Sequence, residues 1–313
     1  MAEHRVLVTD YTWPDTHIEA EVLATADAEL VHAPTGEEAE LIELVRDCDG
    51  ILTCFKRVTP AVVHAGKRLR VIGRYGIGTD NIAVDVATEC GIPVTNVPDY
   101  CADEVAEHVL ALMFALIRGL QAYAKPIRAG DWSLANGMPT SRIAGSTLGI
   151  IGHGAIGRAL EQRARGLGID VLVHTRTTGV PLLEVAERAD AISIHVPATP
   201  DTEGLIDATF LRAMKPTAYL INTARGSIVD SDALVTALRD GEIAGAGLDV
   251  FSPEPLSAEH PLLSLPNVIA TPHTAFYSEQ SVAQLAELAA QNVADVLAGR
   301  RPRWIVNPSV YDL

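Results

Sequence analysis

Short apolar runs alternate with longer stretches of helical period along nearly the whole chain. Residues 5–10, 29–31, 50–53, 69–74 and 92–95 read as strands. Brief apolar runs bounded by polar or glycine positions suit strands buried in a parallel sheet. Residues 15–24 and 36–46 read as helices, the second with Leu41, Ile42 and Val45 on one side of an acidic segment. Residues 103–119 predict a long helix, apolar at Val105, Val109, Leu112 and Leu116. The stretch 121–145 reads as irregular and carries Trp132; a loop of that length is usually functional or an interface, and we expect a dimer-contact arm. Strands then resume at 147–151, 170–174, 191–196, 218–222, 244–250 and 268–271, with helices at 155–167, 180–188, 207–215, 230–241 and 278–299. This alternation predicts α/β architecture with parallel sheets, in two runs separated by the 103–119 helix. The length of 313 residues agrees with two domains. The closing WIVNP segment is short and apolar and is expected to return to the first domain.

The stretch from Thr147 to Thr178 organises the rest. TLGII predicts a buried strand, and Gly152, Gly154 and Gly157 then form G-x-G-x-x-G at the start of a helix opening with Ala155 and Ile156. In that context the first glycine makes a tight turn, the second admits a pyrophosphate to the backbone, and the third lets helix and strand pack closely. The helix N-terminus faces the phosphates with free amides and a positive dipole end. A dinucleotide site is therefore expected. The position after the second strand, which usually holds an acid when NAD is preferred, is Thr175, followed by Arg176, Thr177 and Thr178. No carboxylate stands there to repel a 2′-phosphate, and Arg176 is placed to pair with one. We expect NADP(H) to be preferred, with NAD(H) possible.

Composition narrows the partners. A formal charge of −16 argues against nucleic acid, which favours a basic face. No apolar run is long enough to span a bilayer, since residues 105–120 are broken by Glu107, His108 and Arg118. MAEHRVLVTD shows no signal pattern, and Cys48, Cys54, Cys90 and Cys101 show neither a disulfide framework nor metal-ligand spacing. We expect a cytoplasmic protein without a metal site. In so acidic a chain, an anionic substrate needs locally placed cations and amides. Lys56 and Arg57 follow a strand end, the ligand-facing edge of an open α/β sheet, although solvated surface charge is the commoner role for either. The two glycines in Tyr75-Gly76-Ile77-Gly78, between a strand and a helix start, leave amides for a carboxylate.

Arg225, Glu254 and His273 each fall in the loop after a predicted strand. Together they suit reduction of a 2-keto acid. A guanidinium holds the carboxylate and polarises the carbonyl. An imidazole donates a proton as hydride arrives. A carboxylate beside it fixes its tautomer and favours its charged form. His195, also at a strand end, reads as scaffold.

The segments YGIGTDNI, EVAEHVLALMFALIR, GIIGHGAIG, HVPATPDT, LINTARGSIVD, AGLDVFSPEP and TPHTA span most of the chain. Together they resemble the D-isomer-specific 2-hydroxyacid dehydrogenase family. The resemblance implies two Rossmann-like doubly wound parallel-sheet domains, the cofactor domain (101–286) being inserted into a flavodoxin-like substrate domain (1–100 and 287–313), and a homodimer. It implies that Arg225 binds substrate, that His273 is the acid/base with Glu254 its partner, and that the YGIG amides cradle the substrate carboxylate. It places Val105, Val196, Pro197, Thr202, Thr223, Ala224, Arg225, Asp249, His273 and Ala275 against the cofactor. The chain departs from the usual pattern at Thr175, as NADP-preferring hydroxypyruvate and glyoxylate reductases do, and the 178–181 segment is very short, implying a more open adenine side. PDYCADEVAEH and RYGIGTDNI also resemble the C-terminal-binding-protein corepressors. A cofactor-sensing interaction protein with vestigial catalysis is therefore the alternative reading, and the complete Arg-Glu-His set argues against it.

Overall fold

A computed structural model describes residues 2–137 and 139–312. The chain divides into two compact units at Tyr100/Cys101 and Tyr277/Ser278. The first begins with β1 (His4–Val8), α1 (His17–Ala24), β2 (Ala28–His32), α2 (Glu38–Val45), β3 (Gly50–Thr53), α3 (Pro60–Ala65), β4 (Val71–Arg74), α4 (Val84–Glu89) and β5 (Val94–Thr95). The second holds α5 (Ala102–Ile117), α6 (Leu120–Arg128), β6 (Thr147–Ile151), α7 (Ala155–Gly166), β7 (Asp170–His174), α8 (Leu182–Arg188), β8 (Ala191–Ile194), α9 (Ala208–Ala213), β9 (Tyr219–Asn222), α10 (Ser231–Asp240), β10 (Gly245–Leu248), α11 (Pro261–Ser264) and β11 (Val268–Ala270). The long α12 (Glu279–Leu297) then returns to the first unit.

The first unit's sheet has the order β2-β1-β3-β4-β5, every pair parallel, the doubly wound flavodoxin-like order. The WIVNP segment does rejoin this unit. The Val306 amide donates to the Val94 carbonyl, and the Asn307 side chain accepts from the Val94 amide at 2.7 Å. The second unit's sheet runs β11-β10-β9-β8-β6-β7, again all parallel. Direction reverses at β6, which has β7 on one side and β8 on the other. Ligands in open α/β sheets bind beyond the strand ends at such a switch point. The two described sheets therefore confirm the α/β class and its doubly wound parallel plan.

Two expectations are corrected. The return to the first unit comes at Ser278, not at 287 inside the closing helix. Ser278 and Ser281 form a capping box there, so the helix starts as an independent element and packs on α1 and β4 along its length. Secondly, 121–145 is not irregular throughout. Gly119 in the left-handed region ends one helix and starts α6, bent 63° from α5. With Pro126 inside it and no buried residue, α6 leaves no core-facing stripe to read. Met138 of this stretch lies outside the described residues. Asp230 caps α10, accepting from the Ala233 amide, and Ser227 belongs to a 3₁₀ turn over Gly226–Ile228.

Glu19 on α1 was not singled out by its sequence. It is fully buried, and its Oε1 accepts from Trp13 Nε1 and from the Tyr75 hydroxyl, each at 3.1 Å. Burial pushes its carboxyl above the usual range, against the lowering effect of those hydrogen bonds. A carboxyl raised in the folded state contributes stability that is present below its unfolded value and lost as pH rises through its folded value. Glu19→Gln keeps an acceptor and removes the titration. The melting temperature of the variant relative to wild type is expected to rise between about pH 4 and about pH 8; a constant difference across that range would contradict this account.

Candidate active site

The glycine turn is built as its spacing suggests. Gly152 has φ +97°, and a Cβ there would stand 2.4 Å from the His195 carbonyl oxygen at the end of β8. A Cβ on Gly157 would stand 2.3 Å from the Gly152 carbonyl oxygen. Both positions thus require glycine for close backbone approach. Around Gly154 a Cβ would meet nothing within 4 Å. Gly154 N-caps α7, whose first residues are Ala155 and Ile156, so the helix opens onto this loop. His195 is held by its amide to the Ile151 carbonyl at 2.7 Å and by Nε2 to Ser193 Oγ at 2.9 Å. Burial pushes its imidazole down to about 4, so it stays neutral and serves as scaffold between β6 and β8.

The segment after β7 closes a tight hairpin. The Thr175 amide donates to the Thr178 carbonyl, and the Val180 amide to the Val173 carbonyl. The Thr175 hydroxyl bonds Thr178 Oγ1 at 2.8 Å and accepts from the Thr178 amide. Its side chain is therefore occupied by the turn, while Arg176 and Thr177 form the exposed tip. Among the described residues no strand pairs with β7 on its outer side, and the 178–181 segment is very short.

After β8, the Thr202 hydroxyl donates to the Pro197 carbonyl at 2.6 Å and closes the loop that carries Val196 and Pro197. After β9, Asn222 folds the next turn: its side chain accepts from the Ala224 amide and donates to the Arg225 carbonyl. Thr223 Oγ1 is buried and has no hydrogen-bond partner among the described residues. The Arg225 guanidinium donates to the Ala224 carbonyl at 2.8 Å. A Cβ on Gly226 would stand 2.0 Å from the Phe251 carbonyl carbon. This crossing brings Arg225 beside the Glu254 loop.

Glu254 accepts from the Phe251 amide through Oε1 at 2.7 Å and from His273 Nδ1 through Oε2 at 2.8 Å. Burial pulls its carboxyl upward, but the His273 hydrogen bond and charge, the Phe251 amide and the Arg225 charge outweigh it and hold the group below its ordinary value. Glu254 is therefore ionised beside the imidazole. His273 has φ +52°, a conformation disfavoured for a side chain with a Cβ. Its amide donates to the Asp249 carbonyl at 2.8 Å and the Thr271 carbonyl at 3.1 Å, which holds it there. Asp249 is fully buried, and its carboxylate accepts from the Thr274 and Ala275 amides and from the Thr271 hydroxyl. The structure thus uses Asp249 and Ala275 on each other to shape the 271–275 loop. Val105 lies buried near the start of α5. Asn222 and Thr271 stand inside the LINTARG and TPHTA segments, and the signal for their roles is a hydrogen-bonding side chain at a strand end close to a charged residue.

In the first unit the YGIG expectation is narrowed. Tyr75 is not available as a contact. Its ring is buried 4.9 Å from Trp13, its hydroxyl donates to Glu19, and its amide donates to the Thr53 carbonyl. The Gly76 amide is likewise used, by the Arg74 carbonyl. Among the described residues the amides of Ile77 and Gly78 make no such bond. Beneath them lies buried Arg74, whose guanidinium donates to the Tyr75 and Gly78 carbonyls and so fixes the loop. Lys56 pairs with Glu37 at 3.0 Å and, with Arg57, lines a cavity of about 480 Å³. Its backbone is held by Asp10, whose carboxylate accepts from the Cys54, Phe55 and Lys56 amides.

Among the described residues no group of three or more His, Cys, Asp or Glu is arranged to hold a metal. A family model described as the NAD binding domain of D-isomer specific 2-hydroxyacid dehydrogenases matches residues 110–275. The chain belongs to this dehydrogenase family. It is 39% identical over 285 residues to a glyoxylate reductase of Korarchaeum cryptofilum, covering 86% of each chain. It is 43% identical over 242 residues to a glycerate dehydrogenase of Methylorubrum extorquens, covering 74% of this chain and 77% of that one. A solved NADPH-dependent glyoxylate/hydroxypyruvate reductase from Sinorhizobium meliloti, in complex with citrate, superimposes with a TM-score of 0.86 at 33% identity, covering 98% of this chain and 99% of the other. The dehydrogenase is therefore an oxidoreductase of small acids that works with a nicotinamide dinucleotide. The residues present fit that cofactor: the space over Gly154, the N-terminus of α7 and the buried Thr223 hydroxyl, without a partner among the described residues, suit phosphates and polar groups of a dinucleotide.

Proposed function

We propose that this dehydrogenase reduces small 2-keto acids of the glyoxylate and hydroxypyruvate kind to D-2-hydroxy acids, with NADP(H) preferred over NAD(H). The observation that carries the chemistry is the 2.8 Å bond from Glu254 to His273 Nδ1, with the Arg225 charge beside it. That bond fixes the tautomer, and His273 Nε2 exchanges the proton with the substrate oxygen. Arg225 binds the substrate carboxylate and polarises the keto group. Ile77 and Gly78 supply carboxylate-binding amides in the first unit. Gly152, Gly154, Ala155, Ile156 and Gly157 bind the pyrophosphate; Val105, Val196, Pro197, Thr202, Thr223, Ala224 and Ala275 line the rest of the dinucleotide site, and the buried Asp249 shapes its 271–275 wall rather than lining it. When bound in that site, a reduced nicotinamide would supply the hydride.

The NADP(H) preference rests on the hairpin tip. Arg176 is exposed and makes no hydrogen bond or ion pair among the described residues, and no acid occupies position 175. The NADPH dependence of the Sinorhizobium relative supports the same reading. Arg176→Ala is expected to weaken NADPH binding about 10- to 100-fold, the equivalent of a charge-assisted hydrogen bond, while NADH changes little. Equal loss for both cofactors, measured by fluorescence titration, would reject the 2′-phosphate role. We assign the arm around α6 to a homodimer contact, because Leu120, Ile127, Trp132 and Leu134 stand exposed along it, Trp132 at 84%.

A further inference from the structure

His108 lies on α5, three residues after Val105 and four before Leu112, both of them buried. A polar side chain on a helix's core-facing stripe needs a partner. His108 finds one in the loop that carries His273. Its Nε2 lies 3.1 Å from Thr271 Oγ1, and Thr271 Oγ1 donates to Asp249 Oδ1 at 2.5 Å. The hydroxyl has one proton, already given to the carboxylate. It therefore accepts from His108, and Nε2 carries the hydrogen in that bond. Asp249 is fully buried, and among the described residues the basic side chain within 4 Å of its carboxylate is His108, at 3.7 Å.

We propose that His108 is a positioning residue for proton transfer: it locks Thr271 and the buried Asp249 carboxylate, and through them the backbone that holds His273 in its disfavoured conformation. The chain of contacts is continuous. Asp249 accepts from the Thr274 and Ala275 amides on one side of His273 and from the Thr271 hydroxyl on the other. The Asp249 and Thr271 carbonyls both take the His273 amide hydrogen. Loss of the His108 donor leaves Thr271 and Asp249 with less restraint, and the imidazole spends less time in its productive orientation. His108 itself touches no reacting atom. The proposal rests on the assignment of His273 as the proton donor.

The test is a series of His108 variants, His108→Gln, His108→Asn and His108→Leu, assayed with reduced nicotinamide cofactor and glyoxylate or hydroxypyruvate. Gln places an N–H donor near the reach of Nε2; Asn is too short and Leu has none. We expect kcat to fall about tenfold in the Asn and Leu variants, the loss corresponding to one net hydrogen bond, with KM and cofactor Kd within about twofold of wild type. His108→Gln should restore kcat to within about twofold. A merely structural role would lower the melting temperature of all three and leave no advantage to Gln. Wild-type kcat in Asn and Leu, or Gln no better than Asn, overturns the proposal while leaving the reductase assignment standing. If Leu does not fold, the Gln and Asn pair decides by itself. No turnover by the wild type on any 2-keto acid overturns both.

Discussion

Replacing His273 by Gln is expected to lower kcat for 2-keto acid reduction by about 10²- to 10⁴-fold, the usual contribution of a positioned general acid. Gln approximates the shape and retains a hydrogen-bonding group toward Glu254, but it cannot deliver a proton. The bond at Nδ1 is the structural reason for so large an effect. Glu254 is anchored by the Phe251 amide as well as by the imidazole, so the ring is held in one orientation and one tautomer. Cofactor affinity should stay within about threefold, because the glycine turn on β6 and α7 is built without His273. Single-turnover kinetics with a fluorescence-measured Kd separate the two effects. A variant that binds cofactor and turns over at the wild-type rate would remove His273 from the mechanism.

Arg225→Gln is the second large effect. A guanidinium offers paired donors in a plane that matches a carboxylate, and its charge stabilises the developing alkoxide; an amide offers neither the charge nor the fork. We expect kcat/KM to fall about 10²- to 10³-fold, as when a preorganised donor is removed from an oxyanion site. The Asn222 side chain should still fold the turn, since it bonds the Arg225 carbonyl and the Ala224 amide rather than the guanidinium. Circular dichroism and melting temperature should therefore be nearly unchanged. Loss of the fold would mean that Arg225 acts as a structural cation. Unchanged kcat/KM would mean that the substrate carboxylate is bound elsewhere.

Much of this was legible in the chain because short-range rules specify it. The strands Thr147–Ile151, Asp170–His174 and Gly50–Thr53 fall where apolar runs meet glycine or polar breaks. Gly152 and Gly157 are read correctly because each meets a backbone oxygen that no Cβ would clear. What was not legible depends on tertiary contacts. Tyr75 stands in a motif that suggests a ligand, yet its ring turns inward because Glu19 and Trp13, more than fifty residues upstream, offer a buried acceptor and an aromatic face. His108 looked like a break in an apolar helix; its partner is 163 residues away. α6 hides because it buries nothing, so it has no periodic core stripe to announce it. The boundary at Ser278 was missed because a helix with continuous composition gives no hint of which unit it packs against until its cap is recognised.

The most direct measurement is oxidation of NADPH and of NADH by the purified protein, followed by loss of reduced-nicotinamide absorbance, with glyoxylate, hydroxypyruvate and larger 2-keto acids as substrates. Turnover on the small acids, faster with NADPH, and formation of D-glycerate from hydroxypyruvate are predicted. Tight binding of cofactor with no turnover on any 2-keto acid would contradict the account and leave the Arg225–Glu254–His273 cluster as part of a nucleotide-sensing protein.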